Sequence, residues 1–184
     1  MPERLETKLE GVVLLEPRVF GDERGFFVET YSRDLWSELG IDVEFVQHNH
    51  SRSVGKTLRG LHFQTQPGQA KLVRCSRGAV FDVAVDLRRG SPTYGQWEGY
   101  VLDDETHRQL FVPAGFGHGF AVLSEIADVA YLLSSVYDPD TEAGIAWDDP
   151  DVGVEWPVEE PLLSERDKSA PRLAEVADSL PFSI

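Results

Sequence analysis

The stretch RGAVFDVAVDL at residues 77–87 alternates with a period of two, and such a pattern sorts side chains onto two faces only in an extended chain. Ala79, Phe81, Val83, Val85 and Leu87 share one face, while Asp82 and Asp86 fall on the other. Further strand-like stretches are Gly11–Glu16, Gly25–Tyr31, Val43–His48, Leu58–Gln64, Ala70–Cys75, Gln96–Leu102, Gln109–Val112, Gly119–Leu123 and Val129–Val136. Turns bearing Gly or Pro separate most of them. Helical periodicity is strong only at Ser32–Leu39 and near Pro171–Ala177. In the first of these Ser32 can cap the start, Gly40 can end it, and Leu35, Trp36 and Leu39 form an apolar side. Many short strands with a few short helices predict an all-β fold, and among sandwiches and barrels a jelly roll.

A chain of 184 residues can bury one hydrophobic core, and no repeat, low-complexity tract or flexible linker divides it, so a single domain over 1–184 is expected. The lone cysteine, Cys75, lies in the apolar-alternating KLVRCSRGAV, which rules out a disulfide framework and predicts a buried, inert thiol in a reducing cytoplasm. No secretory leader is read at the N-terminus, and apolar runs such as Gly11–Leu15 are too short to span a bilayer. Seventeen basic against thirty-two acidic side chains give a net charge of -15, which disfavours nucleic acid and anionic lipid as partners. An anionic small ligand then requires a local cluster of Arg and Lys.

PAGFGHGF, residues 113–120, contains Pro-x-Gly-x-x-His, a turn that delivers a histidine near the start of a strand. It resembles the second motif of the cupin superfamily. In metal-binding cupins the first motif supplies His-x-His and then a glutamate, because a divalent ion needs several N and O ligands at one point. Here the corresponding strand reads RGLHFQ, with Gln64 at the place of the second histidine and the cation Lys71 downstream. No metal is expected. His48-x-His50 shares a strand face, but no Glu or Asp follows at a useful distance, so it too is read as no metal site.

Read together, DERGFFVE (22–29), QHNHSRS (47–53), LRGLHFQ (58–64), QAKLV (69–73), PAGFGHGF, the Tyr131–Trp147 stretch and LSERDKSAP (163–171) resemble the dTDP-4-dehydrorhamnose 3,5-epimerase family across about residues 10–172. The resemblance implies a cupin-type jelly roll acting as a homodimer, with no cofactor, on a dTDP-linked 4-keto-6-deoxy sugar. The chemistry needs a base, an acid on the opposite ring face and an enolate stabiliser, because a ketone at carbon 4 only weakly acidifies carbons 3 and 5. By resemblance His62 is the base, a residue type that titrates near neutrality, and Asp167 orients it as the second member of a dyad. Tyr131 matches the proton donor, and Lys71 the cation that faces the enolate and contacts phosphate. Each residue also has a plain structural reading. A buried histidine often only satisfies a hydrogen bond, a strand tyrosine is ordinary core, and Asp167 completes a Ser164-x-x-Asp capping pattern.

Arg24, Arg59, Lys71 and Arg166 resemble the family's diphosphate and sugar contacts and supply the required cations. Glu29, Gln47 and Asn49 match polar binding positions, with His48 between the latter two; Phe27 shares a strand face with Glu29. His118 and Glu142 match two further contacts, and Tyr137, on the face of Tyr131 by alternation, matches the residue that stacks on thymine. Arg24 and Arg59 read equally as solvated surface charges. After Tyr131 many family members carry lysine and polar residues, whereas this chain reads LLSSV. That departure leaves open an epimerase that inverts one carbon, or one acting on a modified deoxysugar of secondary metabolism. A metal-dependent cupin enzyme and a non-catalytic sugar-nucleotide binding module are the competing classes.

Overall fold

A computed structural model describes residues 1–184. The chain begins with β1 (Glu3–Leu5), β2 (Val13–Glu16) and a hairpin of β3 (Val19–Asp22) and β4 (Gly25–Val28), followed by helix α1 (Arg33–Glu38). Then come β5 (Gln47–Val54), β6 (Leu58–Gln64), β7 (Lys71–Arg77), β8 (Ala79–Asp86) and β9 (Trp97–Asp103). They are followed by β10 (Gln109–Val112), β11 (Phe116–Val122) and β12 (Ile126–Leu133). A short β13 (Glu142–Gly144) precedes helices α2 (Glu165–Lys168) and α3 (Leu173–Val176).

Six strands hydrogen-bond in the order β1-β2-β10-β7-β12-β5 and five in the order β13-β6-β11-β8-β9, every neighbouring pair antiparallel. Residues of both sheets, among them Val73, Cys75, Leu110 and Val129 from one and Val80, Ala84, Leu102 and Phe120 from the other, form one buried cluster. This is the expected all-β jelly roll. Burial pushes the Cys75 thiol up to about 12, so it stays protonated and unreactive. No helix is long and apolar enough to cross a membrane.

The faces of β8 are arranged differently from a solvent-facing strand. Val80 and Ala84 join the cluster between the sheets, whereas Val83, Val85 and Leu87 pack outward against Ile145, Val152, Leu173 and Leu180 of the C-terminal segment. The face carrying Asp82 and Asp86 is therefore the inner one, and both carboxylates are fully buried. Burial pushes the Asp86 carboxyl up, but hydrogen bonds from Arg88, Ser91 and Thr93 outweigh it and hold it near 2. The outer face of the six-stranded sheet is covered likewise, by Trp36 and Ile41 against Val13, Leu15, Leu72 and Phe111.

Some boundaries differ from expectation. Residues 43–46 are not strand; Val43 and Phe45 join the cover around Trp36, and Phe45 meets the Tyr31 ring edge-on at 5.5 Å between centroids. β5 instead runs on to Val54. β12 stops at Leu133 because the next side chains tie the chain elsewhere: the Ala70 N–H donates to the Ser134 hydroxyl and Ser135 donates to the Gly68 carbonyl. Ser32 precedes α1 without a side-chain cap, while Gly40 ends that region at φ +98 as read.

Candidate active site

β6 and β11 form the floor of a cleft of about 480 Å³ between the sheets. His118 pairs with His62, but Phe120 pairs with Arg59, so β6 holds one extra residue between the paired positions. Residues three apart on a regular strand point to opposite faces; this bulge lets Arg59 and His62 both line the cleft. Gly60 lies within it, where a Cβ would stand 2.6 Å from the Gly119 Cα, so no larger residue fits.

His62 Nε2 and Asp167 Oδ1 are 2.5 Å apart, with the carboxylate side chain 4% exposed. Asp167 sits in α2, where its N–H donates to Ser164 Oγ at 3.1 Å. The capping pattern and the dyad are thus one device: the cap fixes the helical turn that aims the carboxylate. Burial pushes the Asp167 carboxyl up, but the hydrogen bond and charge of His62, helped by Ser164 and Arg166, outweigh it and leave it below its ordinary value. An ionised carboxylate only accepts, so Nε2 carries the hydrogen and Nδ1, which makes no hydrogen bond within the chain, keeps a free lone pair.

Lys71, at the start of β7, donates to the His62 carbonyl at 3.4 Å and lines the same cleft. Burial lowers its ammonium to about 8, against the pull of Glu142 and Asp82. Tyr131 comes from β12, in the sheet opposite His62, and pairs with Asn49 of β5. Leu133, two residues on, lies on the same side of β12 and lines the cleft, fully buried. At the mouth Tyr137 Oη donates to Glu142 Oε2 at 2.6 Å, and Arg166 donates to the same oxygen. Burial raises the Glu142 carboxyl, yet these two donors hold it below its ordinary value.

His62, Lys71, Tyr131, Asp167, Asn49, Arg59, His118, Tyr137, Glu142 and Arg166 thus meet around one cleft. Tyr137 arrives from the loop after β12, not by strand alternation. Gln47 stands at the edge, donating to Asn49 Oδ1 at 2.9 Å and accepting from the Tyr137 N–H. His48 is not brought in: β5 alternates strictly, so Gln47, Asn49 and Ser51 turn inward while His48 and His50 face out. Arg24, Phe27 and Glu29 also lie outside this chain's cleft, Arg24 and Phe27 on the exposed hairpin, where Arg24 pairs with Asp22 at 2.5 Å. Arg59, Lys71 and Arg166 supply the local positive charge that a chain of net charge -15 needs for an anion.

Sequence reasoning missed Asp82, which lies behind His118, and Gln69, Ser51 and Leu133 on the cleft wall. Two acidic residues in an otherwise apolar strand were the available signal for Asp82. Gln64 points inward and accepts from Thr141, and no three His, Cys, Asp or Glu side chains converge as a metal site would require. Chemically, an imidazole able to take a proton faces, across one cleft, a phenol able to give one, with an ammonium nearby to neutralise an oxyanion.

The model of the dTDP-4-dehydrorhamnose 3,5-epimerase family matches residues 6–175. A dTDP-4-dehydrorhamnose 3,5-epimerase of Pseudomonas aeruginosa is 53% identical over 172 residues, covering 92% of this chain and 94% of its own. The crystal structure of a dTDP-6-deoxy-D-glucose 3,5-epimerase from Legionella pneumophila, in complex with dTDP-4-keto-L-rhamnose, superposes with a TM-score of 0.95 at 45% identity, covering 99% of this chain and 98% of that one. A 4-keto-6-deoxy sugar epimerase from the novobiocin biosynthetic gene cluster of Streptomyces spheroides gives 0.94 at 45% identity, covering 100% and 93%.

Proposed function

The chain belongs to the dTDP-4-dehydrorhamnose 3,5-epimerase family, and from that premise we propose how its cleft divides the work. It is an isomerase that inverts carbon 3, carbon 5 or both of a dTDP-linked 4-keto-6-deoxyhexose in deoxysugar synthesis. His62 Nδ1 removes the hydrogen beside the ketone as a proton, and the electron pair moves to the carbonyl oxygen. Asp167 stabilises the resulting imidazolium, and the Lys71 ammonium stabilises the enolate oxygen. Tyr131 then protonates the carbon from the other face, and exchange with water resets both groups. These steps call on no metal or cofactor.

The observation that supports these roles best is that His62, paired with Asp167 of α2, and Tyr131 stand on different sheets around one cleft. A flat enolate held between the walls is then reached from both faces. Arg59 and Arg166 take the diphosphate, Tyr137 stacks on thymine at the mouth, and Asn49, Gln47, His118 and Glu142 hold polar groups of the ligand.

The active unit is a homodimer in a reducing cytoplasm. Phe26 and Phe27 on the β3–β4 hairpin are 61% and 67% exposed, a costly edge for a free chain. A hairpin crossing to a second copy covers them and carries Arg24, Phe27 and Glu29 to the other cleft. The run LLSSV after Tyr131, with Leu133 on the cleft wall, favours a second reading, inversion at one carbon only, as an enzyme of a modified deoxysugar. Incubation of the protein with dTDP-4-keto-6-deoxyglucose in heavy water, followed by proton NMR, tests both. Deuterium enters carbons 3 and 5 for a double epimerase and one of them for a single epimerase; exchange at neither would refute the assignment.

A further inference from the structure

The β3–β4 hairpin pairs with neither large sheet, so no backbone ladder sets the direction in which it leaves the body of the chain. Side chains from one short segment between β9 and β10 do so instead. His107 lays its ring on Phe26 of β4, with 4.6 Å between centroids. Next to it, Arg108 Nε donates to Glu16 Oε2 at 2.6 Å, at the end of β2 where the chain enters the hairpin. Gln109 Nε2 donates to the Thr30 carbonyl at 3.0 Å, where the chain leaves it. Three consecutive residues thus hold the hairpin at its entry, near its tip and at its exit. We propose that this segment is a mount that aims the hairpin, and that His107, acting through Phe26, is a positioning residue for the cleft of the second copy and not for its own. The inference rests on the homodimer reading above, in which the hairpin crosses to the other chain.

The mount is held firmly. Asp103 Oδ1 accepts from the N–H groups of Glu105 and Thr106 and from the Thr106 hydroxyl, and the His107 N–H donates to the Asp103 carbonyl at 3.2 Å. These bonds fix the turn in which His107 takes φ +56, a left-handed conformation that few residue types adopt readily. His107 and Gln109 are both buried, and His107 Nδ1 is sealed without a hydrogen-bond partner. Leaving a buried ring nitrogen unpaired is costly, so what the ring supplies here is its face against Phe26. Within the hairpin Phe26 pairs with Gly21 and Phe27 with Phe20, which puts the two pairs on opposite faces. The Phe26 face is turned to its own chain, and the Phe20–Phe27 face is left for another. An arm fixed at its base carries any error there to its far end, where Arg24 and Phe27 sit, and in the dimer that error is felt in the other cleft.

His107→Asn removes the ring and keeps a residue type that accepts a left-handed backbone. Alone it should remain a dimer in light scattering and lose roughly tenfold in kcat/KM, as a small misplacement far from the chemistry does. Phe26→Ala should behave alike, and the double variant should be no worse than either single, since both break one contact. Two differently tagged chains, one carrying His62→Ala and the other His107→Asn, are then co-expressed, and the mixed dimer is purified through both tags. The His62→Ala chain lends a well-aimed hairpin to the cleft that keeps His62, so the mixed dimer should reach about half the wild-type activity, one intact cleft of two. A mixed dimer only about half as active as His107→Asn itself, the result of a fault confined to that chain's own cleft, would overturn the inference, as would additive losses in the double variant. The same mixing with Arg24→Ala tests the crossing. No recovery there would remove the shared-hairpin arrangement and the mount's role together, whereas recovery for Arg24→Ala and none for His107→Asn would remove the mount's role alone.

Discussion

Lys71 is the residue whose ionisation this cleft alters most usefully. With burial lowering its ammonium to about 8, the charge that steadies an enolate is present below that pH and is lost as pH rises through it. The profile of kcat/KM, which reports the free enzyme, should therefore fall above about pH 8. Lys71→Arg keeps a positive charge at every such pH, so it should lower the rate about tenfold or more while removing that alkaline limb. An identical limb in Lys71→Arg would show that another group sets it. Individual residues were legible to different degrees. Lys71 stood out as a cation in an apolar strand, and His62, Tyr131 and Asp167 through the family motifs. His48 faces away from this chain's cleft, a matter of strand parity that a motif read as a string ignores, and Asp82 was hidden because its partner lies 36 positions away on a neighbouring strand.

At the scale of elements, β8 shows what alternation can and cannot say. The pattern identifies a strand with two unlike faces, but which face is inside depends on the C-terminal segment that covers Val83, Val85 and Leu87, a long-range contact with no local signature. The end of β12 was lost for a similar reason, since Ser134 and Ser135 bind a segment more than sixty residues away. The bulge in β6 is likewise visible only in the pairing with β11. The β3–β4 hairpin is the element whose exposure calls for a partner. Phe27→Asp places a charge on its outer face, where this chain's own contact is with Phe20. In light scattering the wild type should run at about twice 20.6 kDa and the variant near 20.6 kDa, with activity reduced at least about tenfold. A dilute wild-type monomer with full activity would contradict the shared-hairpin arrangement.

For the whole molecule, the jelly roll matters because it sets His62 and Tyr131 on different sheets around one cleft, so that in the proposed mechanism each sheet contributes a different proton carrier. The fold class was legible from the strand count and turn residues alone; the facing of His62 on β6 and Tyr131 on β12 was not, because it depends on the pairing of strands far apart in sequence. The measurement that tests this division of labour most directly is heavy-water exchange on dTDP-4-keto-6-deoxyglucose with His62→Ala and Tyr131→Phe. Without the base no enolate forms, so His62→Ala should show neither exchange nor inversion. Without the acid the enolate still forms and takes deuterium back from the His62 side, so Tyr131→Phe should exchange with little inversion. Inversion by Tyr131→Phe at the wild-type rate, or normal exchange by His62→Ala, would contradict the account.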